Sequence, residues 1–518
     1  MTHRSPRETA HNQLSTALDR VAPIVGKWFE IDLRALAAFR VSLGLLILAD
    51  LATRARNIGA FYTDAGVLPR QALFSDYSPV YSLHAISGAA WAQTLLFLVA
   101  GAFALALIVG YRTRVATVVS WLLLLSLHAR NPMVLNSGDV LLRMLLFWGI
   151  FLPLDERWSL FAADRTDDTD RSTVASIATI ALLLQVVLMY ATNTIHKFNG
   201  EFWMDGEALV YILSADQFTV HLGNVIAEYH TLLELFNYLW MGLILASPLL
   251  FVLTGAWRAV LPTMFVGMHL GMIVTMRIGL FPLVVVAALL PFYPPVVWDA
   301  VSKAAERIGL SEVLRTGQNK LTRIAAAAPS FRTPSVPNPA GVINHSRTAF
   351  FTVVPYLLLA LVIMSNAQAV DYAEVPDPGE EVLDTVQAEQ SWRMFAPDPA
   401  RTTRWFAAPA TLENESRVDV LHRSQVDLER PEDVETTYPT ARWRKYLSNV
   451  YSADNENHRS YLANYLCDRW NRNHETDAKS VTIYQMYERY DPYAEEMEAD
   501  GIVKVITYSC SGEFVQND

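Results

Sequence analysis

The stretch best equipped for chemistry is Tyr190–Gly206, YATNTIHKFNGEFWMDG, where a long apolar run stops at His196 and Lys197 and gives way to a loop carrying Trp203. Positive charge is written mostly as arginine, and Lys197 is the sole lysine between Lys27 and Lys303. Unlike arginine, lysine can release its proton when desolvated, so a lysine at the mouth of an apolar helix bundle is a candidate base near neutral pH. A lysine that snorkels from a helix end is the structural alternative. A second polar stretch, HARNPMVLNSGD at His128–Asp139, breaks otherwise apolar sequence with His128, Arg130, Asn131, Asn136 and Asp139, and Arg143 follows. Non-helical backbone at membrane depth is tolerated only where protein or water surrounds it, which places this break at an internal cavity.

The elements that must position these residues follow from composition. The chain has 518 residues, 52% of them hydrophobic, and a mean hydropathy of +0.20. Apolar runs dominate up to about Asn366, and acidic and aromatic polar sequence dominates beyond it. The expected fold is a polytopic α-helical membrane protein of about nine transmembrane helices with an extracytoplasmic mixed α+β C-terminal domain. The expected division is a polar arm at 1–30, a helical membrane domain at 31–366 that includes a basic connector at 294–347, and a soluble domain at 367–518. The first thirty residues lack an apolar core ahead of a small-residue cleavage site, so the first span is read as an uncleaved anchor.

With nine spans, the basic arm, the Tyr111–Arg114 connection, the Trp257–Arg258 turn and the basic connector share one side, expected to be cytoplasmic. The His128–Asp139 break, the Lys197 loop and the C-terminal domain then share the outer side of the cell membrane. Arg40, Asp50, Asp139 and Arg143 read as an internal charge network, and Trp203 and Trp240 as interface anchors. The net charge of −11 comes with no basic, aromatic-interleaved stripe, which argues against nucleic acid. No zinc spacing, phosphate loop or nucleophile elbow occurs, so no metal is assigned. Membrane lipid and a peptide or protein on the outer face are the expected partners; oligomeric state is not legible.

In the C-terminal domain, QSWRMFAPDPARTTRW at Gln390–Trp405 and ARWRKYL at Ala441–Leu447 are basic-aromatic patches. Trp392, Arg393 and Phe395 are read as docking the domain onto the bundle. A helix is expected over His458–Trp470, with paired strands at Val481–Tyr490 and Gly501–Cys510 around an acidic loop. The two cysteines, Cys467 and Cys510, are a disulfide candidate if this domain faces an oxidising compartment.

The segments GAFYTDAGVLPR, RNPMVLNSGDVLLRMLLFWGIFLPL, IHKFNGEFWMDGEAL, MHLGMIVTMRIGLFP and SWRMFAPDP together resemble the HTTM family, whose membrane domain is shared with vitamin K-dependent gamma-carboxylase. In those carboxylases a lysine followed by a tryptophan deprotonates the quinol, and Lys197 with Trp203 falls at that position. His269 resembles a histidine of a later helix. The resemblance implies a reduced naphthoquinone of vitamin K or menaquinol type, O2 and CO2. Proton removal by the lysine and oxygen addition generate a strong base, which deprotonates a glutamyl side chain so that CO2 can add. The implied site is Lys197, His196 and His269 for proton handling, with Asn136, Asp139, Arg143, Tyr190, Asn193 and Trp203 around the ring. His196 stands where the carboxylases carry a second lysine, and no histidine follows Asn136. A non-enzymatic maturation or partner-binding scaffold is the alternative function.

Overall fold

The computed structural model describes residues 26–160, 171–309 and 342–516, with a few single positions between 310 and 341. Of the helix that begins at 342, side chains are described from 353 onward. Most of the N-terminal arm and the greater part of the basic connector lie outside the described residues. Each of the nine apolar runs folds as helix. These are α1 (Leu33–Ala55), α2 (Ala90–Val109), α3 (Thr113–Arg130), α4 (Ser137–Gly149), α5 (Ile177–Phe198), α6 (His230–Leu245), α7 (Val260–Thr275), α8 (Phe281–Leu289) and, after α9 (Pro295–Arg307), α10 (Val342–Gln368).

Among the described residues four helices are long and apolar enough to cross a membrane: α1, α2, α5, and α7 with its preceding turn. A fifth crossing arises if the pair Phe281–Phe292 and Pro295–Arg307, bent by 108°, counts as one span. By length and composition the described residues thus support four or five of the nine crossings expected. Helices of 13 and 9 residues such as α4 and α8 extend only about 20 and 14 Å at 1.5 Å per residue, short of a roughly 30 Å hydrocarbon core.

Local chemistry sets the helix ends. Ser176 and Thr179 form a capping box at the start of α5, and Asn136 and Asp139 form another at the start of α4. Gly110 ends α2 with φ of 72°, a left-handed conformation that glycine adopts without a Cβ penalty, and the chain turns directly into α3. Helix α1 packs on α2, α2 on α3, α3 on α4, and α5 sits between α4, α6 and α10. A two-stranded ribbon, β1 (Ile31–Asp32) with β2 (Thr173–Val174), ties the starts of α1 and α5 together.

The C-terminal domain is built on an antiparallel five-stranded sheet of β3 (Thr402–Ala407), β4 (Pro409–Leu412), β5 (Arg417–Asp419), β6 (Ala478–Asp491) and β7 (Glu496–Ser509). The long β6 is central: β7 pairs along one edge, while β3 and β4 follow one another along the other, and β5 pairs with β4. The acidic stretch expected as a loop is mostly strand, since Glu496 pairs with Asp491 and only a short tip remains. Two helices, α11 (Ala441–Ser452) and α12 (Asn457–Asn471), complete the domain. A single apolar core runs from the bundle into this domain, through Trp392, Trp405 and Trp443.

Cys467 of α12 and Cys510, just after β7, form a disulfide spanning 43 residues. Loop-closure entropy for that span gives about 4 kcal/mol. The double variant Cys467→Ala/Cys510→Ala is therefore expected to unfold at markedly lower denaturant, as is the reduced wild type. A midpoint unchanged in both would show that the bond does not stabilise the native domain.

Asp419 at the end of β5 is 2% exposed and accepts hydrogen bonds from the N–H groups of Ala408, Leu421 and His422 and from the His422 ring. Burial on its own raises a carboxyl's pKa, but the His422 interactions and these N–H donors hold Asp419 below the usual carboxylate range. Its contribution to stability is thus present above the unfolded-state value and lost as pH falls through the lower folded value. Asp419→Asn is expected to flatten the acid limb of the stability–pH curve, read by thermal unfolding between pH 6 and 2.

Candidate active site

A cavity of about 380 Å³ lies where the bundle meets the C-terminal domain. Its floor includes Tyr190, Asn193 and Lys197 of α5, Trp203, Trp240 of α6, His269 of α7, and Asn136. These come from residues far apart in the chain, and the end of α5 is their common anchor.

Lys197 occupies the last turn of α5 and is 2% exposed. Its Nζ stands 2.9 Å from the centroid of the Trp203 ring. No carboxylate, carbonyl or hydroxyl partner to that amine occurs among the described residues. Trp203 is fixed from two sides, because its Nε1–H donates to the Phe395 carbonyl (2.7 Å) and its own carbonyl accepts from Asn237 (3.0 Å). One turn before the lysine, Asn193 donates to the carbonyls of Trp392 (2.8 Å) and Met394 (3.3 Å). Gly200 is required by the same docking: a Cβ there would stand 2.1 Å from the Pro397 carbonyl. The SWRMFAPDP segment is thus seated on the end of α5 and shapes the lysine's surroundings.

The polar atoms facing the cavity are few. Tyr190 is 2% exposed and stacked on Phe265 at 4.2 Å, and its hydroxyl has no hydrogen-bond partner among the described residues. His269 approaches the Phe265 carbonyl through Nδ1 (2.8 Å). A carbonyl only accepts, so the neutral ring carries its proton on Nδ1 and presents Nε2 as the basic nitrogen. Asn136 lines the cavity while its side-chain oxygen caps α4 by accepting from Gly138 (2.8 Å) and Asp139 (3.2 Å). The opposite wall comes from the C-terminal domain and from the Leu209–Phe218 region, with Arg404, Tyr438, Arg444 and Lys445. Arg444 is held by the carbonyls of Gln217 (2.5 Å) and Arg277 (2.7 Å). Besides Lys197, the lining holds Arg404, Arg444 and Lys445, and among the described residues it holds no carboxylate.

Three residues expected at the site lie elsewhere. His196 points away and bonds the Ser391 carbonyl through Nε2 (2.9 Å), since it is one helical position from the lysine and takes a different face. Asp139 turns into an ion network: Arg54 bridges Asp50 (2.7 Å) and Asp139 (2.6 Å), and Arg442 of α11 reaches both (2.5 and 2.9 Å). Arg143 contacts His128 Nδ1 (2.8 Å) and the Gln387 backbone. The network expected from Arg40, Asp50, Asp139 and Arg143 is therefore partly different. Arg40 instead donates to four backbone carbonyls, including Leu154 (2.9 Å) and Trp158 (2.6 Å). Trp203 and Trp240, read as interface anchors, are 2% and 7% exposed and belong to the cavity wall.

Asp50, His128 and Asp139 offer ligand atoms within 4.8 Å of one another, as a metal site would. Two guanidiniums already neutralise both carboxylates, so the cluster is satisfied without a metal ion. The basic wall of Arg404, Arg444 and Lys445 was not singled out from sequence as part of the site. Its signal was the ARWRKYL patch, whose placement over the lysine depends on domain docking.

Apolar helices around a cavity, roofed by a sheet-containing domain that is clamped on by buried ion pairs, define a helical membrane protein with an internal site. The chain belongs to the HTTM domain family: the family's model matches residues 29–298, just over half the sequence, from the start of α1 into α9. That family includes gamma-carboxylase-like proteins, and the likeness to them is at family level. Comparison with curated proteins and with solved structures found no match.

Proposed function

We propose that the cavity binds the ring of a reduced naphthoquinone and that Lys197 is the base that deprotonates it, in an oxygen-dependent reaction of gamma-carboxylase type. The observation that carries this reading is Lys197 itself, an amine with no anionic partner among the described residues, set against Trp203 on the apolar side of the cavity. The residues present suit such a ring. A volume of about 380 Å³ lies within the roughly 300–1,000 Å³ of small-molecule sites. Tyr190, Phe281 and Trp240 supply flat apolar walls, and the unpartnered Tyr190 hydroxyl and His269 Nε2 are available to ring oxygens. When bound, the quinol supplies with O2 the strong base needed to remove an unactivated carbon-bound proton.

The chain's own residues do the rest. Lys197 accepts the first proton at Nζ, Trp203 and the Phe395 carbonyl fix the geometry around it, and the docked C-terminal domain excludes water. The cationic wall of Arg404, Arg444 and Lys445, with no carboxylate among the described lining residues, suits an anionic glutamyl side chain. We place the C-terminal domain outside the cytoplasm, which agrees with the Cys467–Cys510 disulfide. The test is oxygen uptake by the purified full chain supplied with a reduced naphthoquinone. Uptake supports the enzyme, and a folded protein that consumes no oxygen with any naphthoquinol tried points to the scaffold alternative.

A further inference from the structure

Helix α9 leaves the segment Phe281–Phe292 at an angle of 108° and packs on the turn Gly255–Ala259 that begins α7. Its first turn is tied to the start of α1, because Arg34 donates to the Asp299 carboxylate (2.7 Å) and to the Pro295 carbonyl (3.4 Å). Met276 after α7 and Phe281 of α8 line the cavity at the opposite ends of those helices, so α9 sits at the far end of the bundle from the C-terminal domain.

The sequence of α9, PVVWDAVSKAAER, has two faces. Residues three and four apart share a face, which puts Val297, Ala300, Val301, Ala304 and the following Ile308 on one side and Asp299, Ser302 and Glu306 on the other. Trp298 anchors the helix: it is 6% exposed, and its Nε1–H donates to the Tyr293 carbonyl (3.2 Å). The apolar face, by contrast, is open among the described residues, with Ala300 and Ala304 exposed, Val301 46% exposed and Ile308 75% exposed.

The borders of this strip fit one kind of surface. Lys303 and Arg307 flank it on one side, where their charges suit lipid phosphates. On the other side Trp158 stands edge-on to Trp298 at 6.1 Å and stays half-exposed. Trp257, in the turn on which α9 packs, is 72% exposed, and the exposed surface continues from it along α7 through Val260 and Met264. Tryptophans, and basic side chains that lay their stems over apolar surface, are the residues that sit at headgroup level.

We propose that α9 lies in the plane of the bilayer surface as an interfacial anchor, with the Val297–Ile308 strip among the upper acyl chains and Lys303 and Arg307 at the phosphates. A helix with one apolar and one polar face binds a membrane in this way. Phe281–Phe292 is then a short inserted limb, about 18 Å at 1.5 Å per residue, and α9 is a surface helix; the pair is not a fifth crossing. The proposal is independent of what the cavity binds.

The test places single nitroxide labels on the full chain in phospholipid nanodiscs. Val301→Cys, Ile308→Cys and Glu306→Cys report on α9, and Leu98→Cys, near the middle of α2 and 67% exposed, is the acyl-chain reference. Both native cysteines are held in the disulfide, so each variant offers one free thiol. Depth is read by power saturation with oxygen, which concentrates in the bilayer, against a water-soluble nickel chelate. The labels at 301 and 308 are expected to favour oxygen over nickel severalfold more than the label at 306, and to lie shallower than the label at 98. Labels at 301 and 308 that meet nickel as freely as the one at 306 would place α9 in water. Labels that meet neither reagent would mean that protein covers the strip, whether the connector at 310–341 or a second copy of the chain. Labels as deep as the one at 98 would make α9 part of a crossing. Each of these three outcomes overturns the proposal.

Discussion

Lys197→Ala is expected to abolish quinol-dependent oxygen uptake while the protein folds and retains its affinity for the ring. A positioned general base contributes about 10²–10⁴-fold, so residual uptake should fall below about 1% of the wild-type rate. Two further variants separate basicity from charge and from bulk. Lys197→Arg keeps a cation that does not lose its proton in proteins, and Lys197→Met keeps most of the apolar stem; both are expected to be as inactive as the alanine variant. Stability should hold in all but the arginine variant, because among the described residues the Nζ makes no hydrogen bond or ion pair whose partner would be orphaned. Full uptake by Lys197→Arg would remove the lysine from the role of base. Loss of uptake together with loss of quinone binding in Lys197→Ala would recast it as a binding residue.

The second large effect is expected at Arg442. This side chain joins Asp50 of α1 and Asp139 of α4 from a helix that belongs to the other domain. Arg442→Met leaves two buried carboxylates facing only Arg54, and breaking one partner out of a buried ion cluster costs roughly 3–5 kcal/mol. The same helix carries Arg444, Lys445, Ala441 and Ser448 in the cavity wall. The variant should therefore lose thermal stability and also open the site. The expected signature is faster proteolysis between the domains and weaker quinone binding, although Arg442 itself does not line the cavity. Arg442→Lys, which restores the charge without the two-pronged geometry, should recover part of both. An Arg442→Met protein with wild-type melting and wild-type quinone affinity would show that the clamp holds nothing at the site.

Local pattern carried much of this structure. The apolar runs, the helix at Asn457–Asn471 and the β6–β7 pairing were legible because each depends on residues close together in the chain. Among the described residues, fewer helices are long enough to cross a membrane than there are apolar runs, since hydropathy reports that a run is buried from water and not whether lipid or protein surrounds it. Strands β3 to β5 were missed because they are short, and β3 is buried along most of its length with no clear alternation.

The sequence by itself determined that Lys197 ends an apolar helix, that Trp203 follows within a turn or two, and that the SWRMF segment and the ARWRKYL patch are unusual for a solvent-exposed domain. Only the tertiary structure decided which of these meet. Asp139 looked like a site residue and became half of a clamp, because its partner Arg442 lies 303 positions away and no local spacing encodes that pairing. Tyr190, His269 and Lys197 share a cavity with Arg444 for the same reason: side-chain direction in a packed bundle is set by neighbours from other elements, and a linear pattern specifies only which face of its own helix a residue occupies.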